Sequence, residues 1–338
     1  MKMKKMMIAL CLMPWVTGLA GCQEDQETVS ATIHQQHVNA VEAFTEAARE
    51  LESAVETLCQ ANTDDHLAAS RSAWQVLMQD WMVLQGREKG SEAALALTWQ
   101  IQFWPDKKDI TGRKMEQLLA QNTHWNAALL ADQSVAVQGA GAMEWLLYAH
   151  PERLQQPQGC ELATAIGQRL TQSGEALMDA WKANPWQAMT PQLALGEYVG
   201  ALTNQLDFAM KKLTLPMGKP GHPRPYQAES WRSQTSMRNL KANVQAMQSL
   251  YLAEGKGLDA LLRAQGEAEL ADRIAGQFDS LLVSWPQSAS MGALLKTRGG
   301  YRELIHIFNG MEYIRFALHD EVSPALGIVV GFNATDGD

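Results

Sequence analysis

The carboxylate of Glu144 stands out among the side chains whose types and spacing could support chemistry. It lies in the stretch GAGAMEWLLY, residues 139–148, where the other side chains are small or apolar. Ionised carboxylates are rarely buried without a partner, because removing a charge from water is costly. Glu144 therefore lies either at the edge of a helix face or at a position where the fold or a ligand requires a negative charge.

Two pairs of side chains at helical spacing are weaker candidates for a metal site. Glu303 and His306 form an E-x-x-H motif, but di-iron bundles use two such motifs and further glutamates. We therefore interpret His306 as a structural residue that hydrogen-bonds a backbone or carboxylate partner. His34 and His37 have the same spacing near the N-terminus, and we interpret them as part of a solvated helix face.

Several enzyme classes lack their motifs in this sequence. There is no H-E-x-x-H motif, no G-x-S-x-G motif and no P-loop, and the cysteines lack zinc-site spacing. A zincin protease, a common serine hydrolase and a nucleotide-dependent enzyme are therefore unsupported.

Hydrophobic periodicity predicts that helices position these side chains. In segment 38–58, apolar residues recur every three or four positions and glutamates occupy the other faces. The apolar stripe consists of Val41, Phe44, Ala48, Leu51, Val55 and Leu58. Similar patterns span residues 67–84, 161–181, 191–213, 230–252, 267–282 and 301–318. Good helix formers dominate, and apart from 328–330 strand-like runs are nearly absent, so we predict an all-α protein built of helical bundles.

Breaks between these helices are expected at segments rich in proline and polar residues. They fall at residues 105–108, 150–159 and 215–226. The last segment, LPMGKPGHPRPY, contains four prolines and two glycines. It is predicted to be non-helical and to connect two halves of the chain.

The N-terminus has the organisation of an export signal. A basic start, MKMKK, precedes an apolar stretch that contains Pro14 and is too short to span a membrane. Residues 19–22, LAGC, resemble the lipobox of bacterial lipoproteins. The resemblance implies a signal peptide over residues 1–21, acylation of Cys22 and a lipid anchor. Residues 22–30 are then predicted to be a flexible tether.

The lipobox also bears on localisation. By resemblance to the enterobacterial sorting rule, Gln23 after the acylated cysteine indicates the outer membrane, with the protein facing the periplasm or the cell surface. The alternative is an ordinary export signal with an incidental cysteine.

Two cysteines, Cys59 and Cys160, remain once Cys11 leaves with the signal and Cys22 is acylated. An exported protein is in an oxidising compartment, and two is the number that one disulfide requires. We predict a disulfide between Cys59 and Cys160. Two separate buried thiols are the alternative.

The charge balance excludes one class of partner. The chain has 28 basic and 37 acidic residues, a net charge of −9, and loss of the signal lysines makes the mature chain more acidic. No basic cluster stands out in the sequence. Nucleic acid is therefore an unsupported partner, whereas a cationic ligand is easily accommodated.

The two halves of the chain share a short similarity. Residues 141–149 (GAMEWLLYA) can be aligned with residues 309–317 (NGMEYIRFA), which matches Glu144 with Glu312. Duplication would give an N-terminal bundle over residues 31–186 and a C-terminal bundle over residues 187–338. Two amphipathic helices that are similar by chance are the alternative, because a nine-residue match is short.

Several segments, in order, resemble the imelysin family of bacterial periplasmic and surface-anchored proteins. They are residues 71–74 (RSAW), 103–106 (FWPD), 138–148, 229–236 (ESWRSQTS) and 331–338 (GFNATDGD). The resemblance covers most of the mature chain. It implies two helical-bundle domains related by duplication, a site at their junction and a link to iron acquisition.

The family's G-x-H-x-x-E signature falls on Gly139 and Glu144, but Gly141 occupies the histidine position. Histidine and glutamate three residues apart on a helix can share a metal ion. One of those two ligands is missing here. Imelysins were first classed as metallopeptidases, and the substitution argues against that activity in this chain.

The candidate site combines residues from both halves. Glu144 is the candidate ligand-binding and metal-ligating residue, and Gly139 and Gly141 provide close packing or ligand space. Resemblance to the family places Trp104 near the cleft, as a wall next to Asp106. Donors to Glu144 are expected from one turn of the second half, namely Arg232, Ser233 and Ser236. The alternatives are a helix start with a capping hydroxyl and an ordinary ion pair of Glu144 with an arginine.

These observations favour a non-enzymatic surface lipoprotein. Its expected ligand is iron or another divalent metal, an iron chelate or a haem-related compound, or it assists uptake of such a ligand. One alternative is a metal-dependent peptidase, so enzymatic activity stays open. The other is a metal-free scaffold that binds protein beside an outer-membrane receptor.

Overall fold

The computed structural model describes residues 21–328, with side chains from residue 30 onward. Over this range the chain is helical and contains no β-strand, which confirms the predicted all-α fold. Residues 1–20 and 329–338 lie outside the described range, and with them most of the predicted signal, most of the run 328–330 and the terminal motif at 331–338. The side chain of Cys22 is also outside it.

Seven helices form the first half of the described chain. They are α1 Gly21–Gln60, α2 Asp64–Leu84, α3 Glu92–Ile101, α4 Ile110–Leu119, α5 Ala127–Ala131, α6 Ala140–Glu144 and α7 Pro157–Ala180. A π-helical turn, Trp145–Ala149, continues α6, and a 3₁₀ turn, Pro151–Gln155, leads to α7.

Seven more helices follow in the second half. They are α8 Pro191–Met217, α9 Ser236–Leu252, α10 Leu258–Ala264, α11 Ala268–Val283, α12 Met291–Leu294, α13 Arg298–Phe316 and α14 Ser323–Ala325. A π-helical turn, Ala317–Val322, lies between α13 and α14.

The long helices follow the apolar periodicity of the sequence. Every member of the α1 stripe between Val41 and Leu58 is at most 1% exposed. Helix α2 begins where Thr63 accepts a hydrogen bond from the backbone N–H of His66, which satisfies one of the free donors at its N-terminus. Local pattern and capping therefore determine where these helices form.

One apolar core joins the two halves. Helix α1 packs between α2 and α7, while α2 also contacts α9 and α1 also contacts α8. Buried residues of both halves belong to the same cluster. The predicted boundary between residues 186 and 187 lies in the loop between α7 and α8, and the duplication itself stays a prediction.

The paired segments of the proposed repeat are only partly alike in structure. Met143 and Met311 are both fully buried. Glu144 is 3% exposed, whereas the Glu312 side chain is 42% exposed and pairs with Arg315. The apolar position is shared, but the environment of the carboxylate is not.

Three expectations about local structure were wrong. Segment 22–30 is helical rather than a flexible tether, because it has no proline or glycine after Gly21 and continues directly into the apolar pattern of α1. Helix α8 continues through Pro216 to Met217, so the connector starts later than predicted. Pro216 lacks an N–H, so the last turn of α8 loses one backbone hydrogen bond, the one to the carbonyl four residues earlier.

The third error concerns His37, which is buried rather than solvated. Its ring packs against Trp181 and Trp186, with centroids 4.6 and 5.3 Å away, and its Nδ1 donates to the carbonyl of Ile33. Burial, followed by the charge of Arg87, lowers the pKa of His37 to about 3. Residues distant in sequence cover this face, so local spacing did not reveal it.

A disulfide joins Cys59 at the end of α1 to Cys160 at the start of α7, as predicted. Their Cα atoms are 5.5 Å apart. Among the described helices, none is long and apolar enough to cross a membrane.

Candidate functional site

The two glycines that precede Glu144 have different roles. A Cβ atom on Gly139 would lie 2.3 Å from the carbonyl oxygens of Gln100 and Ile101, so only glycine permits the start of α6 to contact the end of α3. A Cβ atom on Gly141 would have no neighbour within 4 Å. Gly139 therefore serves close packing, and Gly141 borders open space.

Glu144 is buried and contacts the second half of the chain. Its Oε1 accepts hydrogen bonds from the backbone N–H and the hydroxyl of Ser233, each at 2.8 Å. Its Oε2 lies 3.9 Å from Nη1 of Arg232. Arg232 and Ser233, which were expected to face Glu144, both lie against it in the structure.

The charge of Glu144 is only partly compensated by these contacts. Burial raises the pKa of Glu144 above its ordinary value, while the hydrogen bonds from Ser233 and the charge of Arg232 lower it. The nearby carboxylate of Glu229 raises it further. Titratable groups whose pKa is shifted by burial and by nearby charges cluster at functional sites.

Arg232 links the cleft to the loop that precedes α4. Its guanidinium forms an ion pair with Asp109 and packs against the ring of Trp231, 4.6 Å from the ring centroid. Asp109 also accepts from the backbone N–H of Gly112 and so caps α4. The arginine is therefore held from two sides, and only 7% of its side chain is exposed.

A small cleft lies between these groups. Its walls include Trp104, Asp106, Gly141, Glu144 and Arg232. The space open to water has a volume of about 30 Å³, which is room for one or two water molecules. In this conformation the cleft admits an ion or a single ligand group.

The sequence-predicted residues of the first half have identifiable contacts in this cleft. Trp104 forms a wall, donates from Nε1 to the carbonyl of Gln227 and packs against Phe208. Asp106 faces the cleft, but its two oxygens accept from the backbone N–H groups of Ile110 and Thr111. Asp106 therefore contributes to the start of α4 and has little capacity left for a ligand.

Ser236 does not join the group around Glu144. Its hydroxyl contacts the backbone N–H of Met291 instead, at 3.4 Å. The prediction placed residues 232, 233 and 236 on one helical turn, but Ser230 and Gln234 both have positive φ, and α9 begins only at Ser236. The turn before α9 directs Ser233 and Ser236 to different neighbours.

Comparison with known proteins agrees with this architecture. A model of the imelysin family matches residues 33–305, most of the chain. This chain belongs to the imelysin family. The resemblance seen in its sequence motifs is thereby confirmed, although the match ends before the terminal motif.

Two solved structures are similar to this imelysin. An imelysin-like protein from Psychrobacter arcticum 273-4 is 18% identical, with a TM-score of 0.78 over 92% of this chain and 98% of that one. A protein from Parabacteroides distasonis ATCC 8503, named as an iron-regulated protein A precursor, is 13% identical, with a TM-score of 0.71 over 92% and 97%. These similarities establish the fold and not the function. No curated protein matches the chain.

Sequence reasoning missed a buried ion pair in this imelysin, between Lys212 of α8 and Glu229 of the loop before α9. Nζ of Lys212 lies 2.8 Å from Oε2 of Glu229, and each residue is 1% exposed. Lys212 also donates to Asn243, at 2.7 Å. Burial lowers the pKa of Lys212 to about 8, although Glu229 opposes the shift.

This pair is connected to the cleft by two glutamines. Gln85 donates both to Glu229, at 3.0 Å, and to Gln102, at 2.7 Å, and Gln102 is part of the cleft wall. Lys212 lies on the same face of α8 as Gln205 and Ala209, and all three are buried in the structure.

The E-x-x-H motif lies on α13 and belongs neither to the cleft wall nor to the buried ion pair. Glu303 and His306 are exposed, and Nε2 of His306 contacts the hydroxyl of Ser284 at 3.1 Å. Its structural interpretation agrees with this contact, but the partner is a hydroxyl rather than a backbone or carboxylate group. Within the described part of the chain, no three His, Cys, Asp or Glu side chains are grouped as a metal site.

Proposed function

We propose that this imelysin is a non-enzymatic, lipid-anchored protein that binds iron or an iron-containing ligand at the cleft around Glu144. The observation that carries the proposal is the environment of Glu144. It is a buried carboxylate beside open space at Gly141, and both its oxygens face groups from the other half. The name of the Parabacteroides distasonis neighbour, an iron-regulated protein A precursor, is the reason to test iron first.

Binding is favoured over peptidase chemistry by the residues present. A metallopeptidase needs two or three protein ligands, an open coordination position and a general base. The family signature retains Glu144, but Gly141 replaces its histidine, and Ser233 already occupies one oxygen of Glu144. These side chains can bind and orient a ligand more readily than they can activate water.

The size of the cleft also restricts the ligand. Pockets that enclose a drug-sized ligand measure roughly 300–1,000 Å³, whereas this cleft has about 30 Å³ open to water. A haem group would require the two halves to separate. A metal ion, or one corner of a chelate, fits without such a change.

The proposal is tested by iron titration of purified variants with calorimetry. Glu144→Ala should lose iron binding. Gly141→His should strengthen it, because a Cβ atom at this position meets no neighbour within 4 Å and the imidazole would project from the same helix face as Glu144. The double variant Gly141→His/Glu144→Ala is the control and should lose the gain. If Glu144→Ala binds iron as the wild type does, the cleft is structural and the scaffold alternative is favoured.

Glu144→Gln separates loss of binding from loss of fold. The amide oxygen can still accept from Ser233. Because the folded state raises the pKa of Glu144 above 4.5, the folded chain binds more protons than the unfolded chain just above that pH. The contribution of Glu144 to stability therefore falls as pH rises. Glu144→Gln should be at least as stable as the wild type at pH 7. A loss of iron binding in this variant would therefore come from the changed site and not from unfolding.

The proposed anchor is Cys22, on the basis of the lipobox at residues 19–22. Acyl chains on this residue would hold the protein at the outer membrane. Cys22→Ser should therefore move the protein from the membrane fraction to the soluble fraction of the cells. Retention of the variant in membranes would contradict the anchor.

A further inference from the structure

Glu144 by itself is a poor site for a bare metal ion. Its Oε1 accepts two hydrogen bonds, and its Oε2 faces the positive charge of Arg232. Iron in proteins is held by several histidine or carboxylate ligands, and the described residues supply no such group. Most of the coordination sphere of iron at Glu144 would have to come from the ligand itself.

Exposed basic residues lie next to residues of the cleft wall in the sequence, although the chain as a whole is acidic. Lys107 and Lys108 form the turn between Asp106, which lines the cleft, and Asp109, which pairs with Arg232. Both lysines are exposed, and neither forms an ion pair with any described side chain. Arg224, two residues before Tyr226 of the cleft wall, is also exposed and has no side-chain ion pair among the described residues.

The acidic residues beside these bases already have partners. Asp106 accepts from two backbone N–H groups, and Asp109 pairs with Arg232. Glu229 pairs with Lys212 in the core. The positive charges of Lys107 and Lys108 are therefore not paired with these carboxylates and can act on a ligand.

Exposed aromatic side chains flank the same opening. Tyr226 is 50% exposed and Trp231 is 41% exposed, and both line the cleft together with Phe103. Large aromatic surfaces beside cationic groups suit a ligand that combines anionic oxygens with a less polar body. The cleft itself has room for only one corner of such a ligand.

We infer that the ligand is an anionic iron chelate with oxygen donors, whose metal faces Glu144 while its anionic groups are held by Lys107, Lys108 and Arg232 at the cleft mouth. The inference rests on the proposed function and specifies its substrate class. It explains why a carboxylate and several cations surround one opening. Glu144 contacts the metal side of the chelate, and the basic residues contact the oxygens that the metal does not fully neutralise. The aromatic side chains pack against the rest of the chelator.

Ferric citrate is the probe, and calorimetry at low and moderate salt is the measurement. Lys107→Gln/Lys108→Gln should weaken binding roughly tenfold at low salt, the combined effect expected of two exposed charges. Its affinity should also depend less on salt than that of the wild type. Lys89→Gln/Lys256→Gln is the matched control, because it removes the same charge from exposed positions that do not adjoin any residue of the cleft wall and should change affinity less than about twofold.

Metal-free citrate should bind the wild type more weakly than ferric citrate, because the carboxylate of Glu144 then repels it. The inference is overturned if the two double variants bind ferric citrate equally, or if the wild type binds iron salts but not ferric citrate. In either case loss of iron binding in Glu144→Ala would leave the proposed function intact. If the wild type binds no form of iron, both proposals fail.

Discussion

Glu229→Gln is expected to lower the free energy of unfolding by about 3–5 kcal/mol at pH 7, since loss of one partner leaves the other charge buried alone. Glu229 and Lys212 are each 1% exposed, so solvent cannot replace the missing partner. Gln85, which also donates to Gln102 of the cleft wall, would lose its charged acceptor. Urea denaturation followed by tryptophan fluorescence measures this loss.

A variant that removes both charges is the control. Lys212→Met/Glu229→Met should recover much of the stability that Glu229→Gln loses, because apolar residues of similar volume often replace a buried ion pair without loss. If Glu229→Gln unfolds within about 1 kcal/mol of the wild type, Lys212 is not held as a buried charge by this pair.

The same pair predicts a pH dependence. The pKa of Lys212 is about 8 in the folded protein against an ordinary value of 10.5. Between these pH values the unfolded chain binds more protons, so the contribution of Lys212 to stability should rise with pH from about 8 towards 10.5 and be lost as pH falls through 8. The double methionine variant should lack this contribution.

Removal of the disulfide is the second large effect. Cys59→Ser/Cys160→Ser is expected to lower the free energy of unfolding by about 2–5 kcal/mol, because the bridge restricts the unfolded chain. The two residues are 101 positions apart and join the ends of α1 and α7, which pack against each other. Thermal unfolding with and without a reductant measures the change.

The double serine variant also supplies the control for this measurement. Reductant should lower the melting temperature of the wild type to that of the variant and leave the variant unchanged. Thiol labelling of the denatured, unreduced wild type should find Cys59 and Cys160 protected. Free thiols at both positions would contradict the bridge.

The helices of this imelysin could be predicted from the sequence because the forces that form them are local. Apolar residues at three- and four-residue spacing define the buried faces of α1 and α2, and residues such as Thr63 satisfy the first backbone donors. The disulfide could be predicted for another reason, since the expected export signal implies an oxidising compartment and two cysteines remain to pair. The tether was an error of the same local kind, because a polar composition is compatible with helix as well as with coil.

Glu144 could be found from the sequence because a charge within an apolar stretch is visible there. Its partners Arg232 and Ser233 lie 88 and 89 residues away, and the resemblance to the imelysin family brought them into consideration. Ser236 was grouped with them because the three residues were placed on one turn, whereas its hydroxyl contacts Met291 instead. The chain turns before α9 because Ser230 and Gln234 have positive φ values. Serine and glutamine rarely adopt this conformation, so the sequence does not predict the turn.

The buried pair of Lys212 and Glu229 was decided by tertiary structure alone. Lys212 follows another lysine in a helix, and by itself such a residue indicates a solvated face. Its burial depends on Asn243 of α9 and Met82 of α2, which contact it from distant parts of the chain. Periodicity reports which face of a helix is apolar, but whether a charge on that face finds a partner depends on which elements pack there.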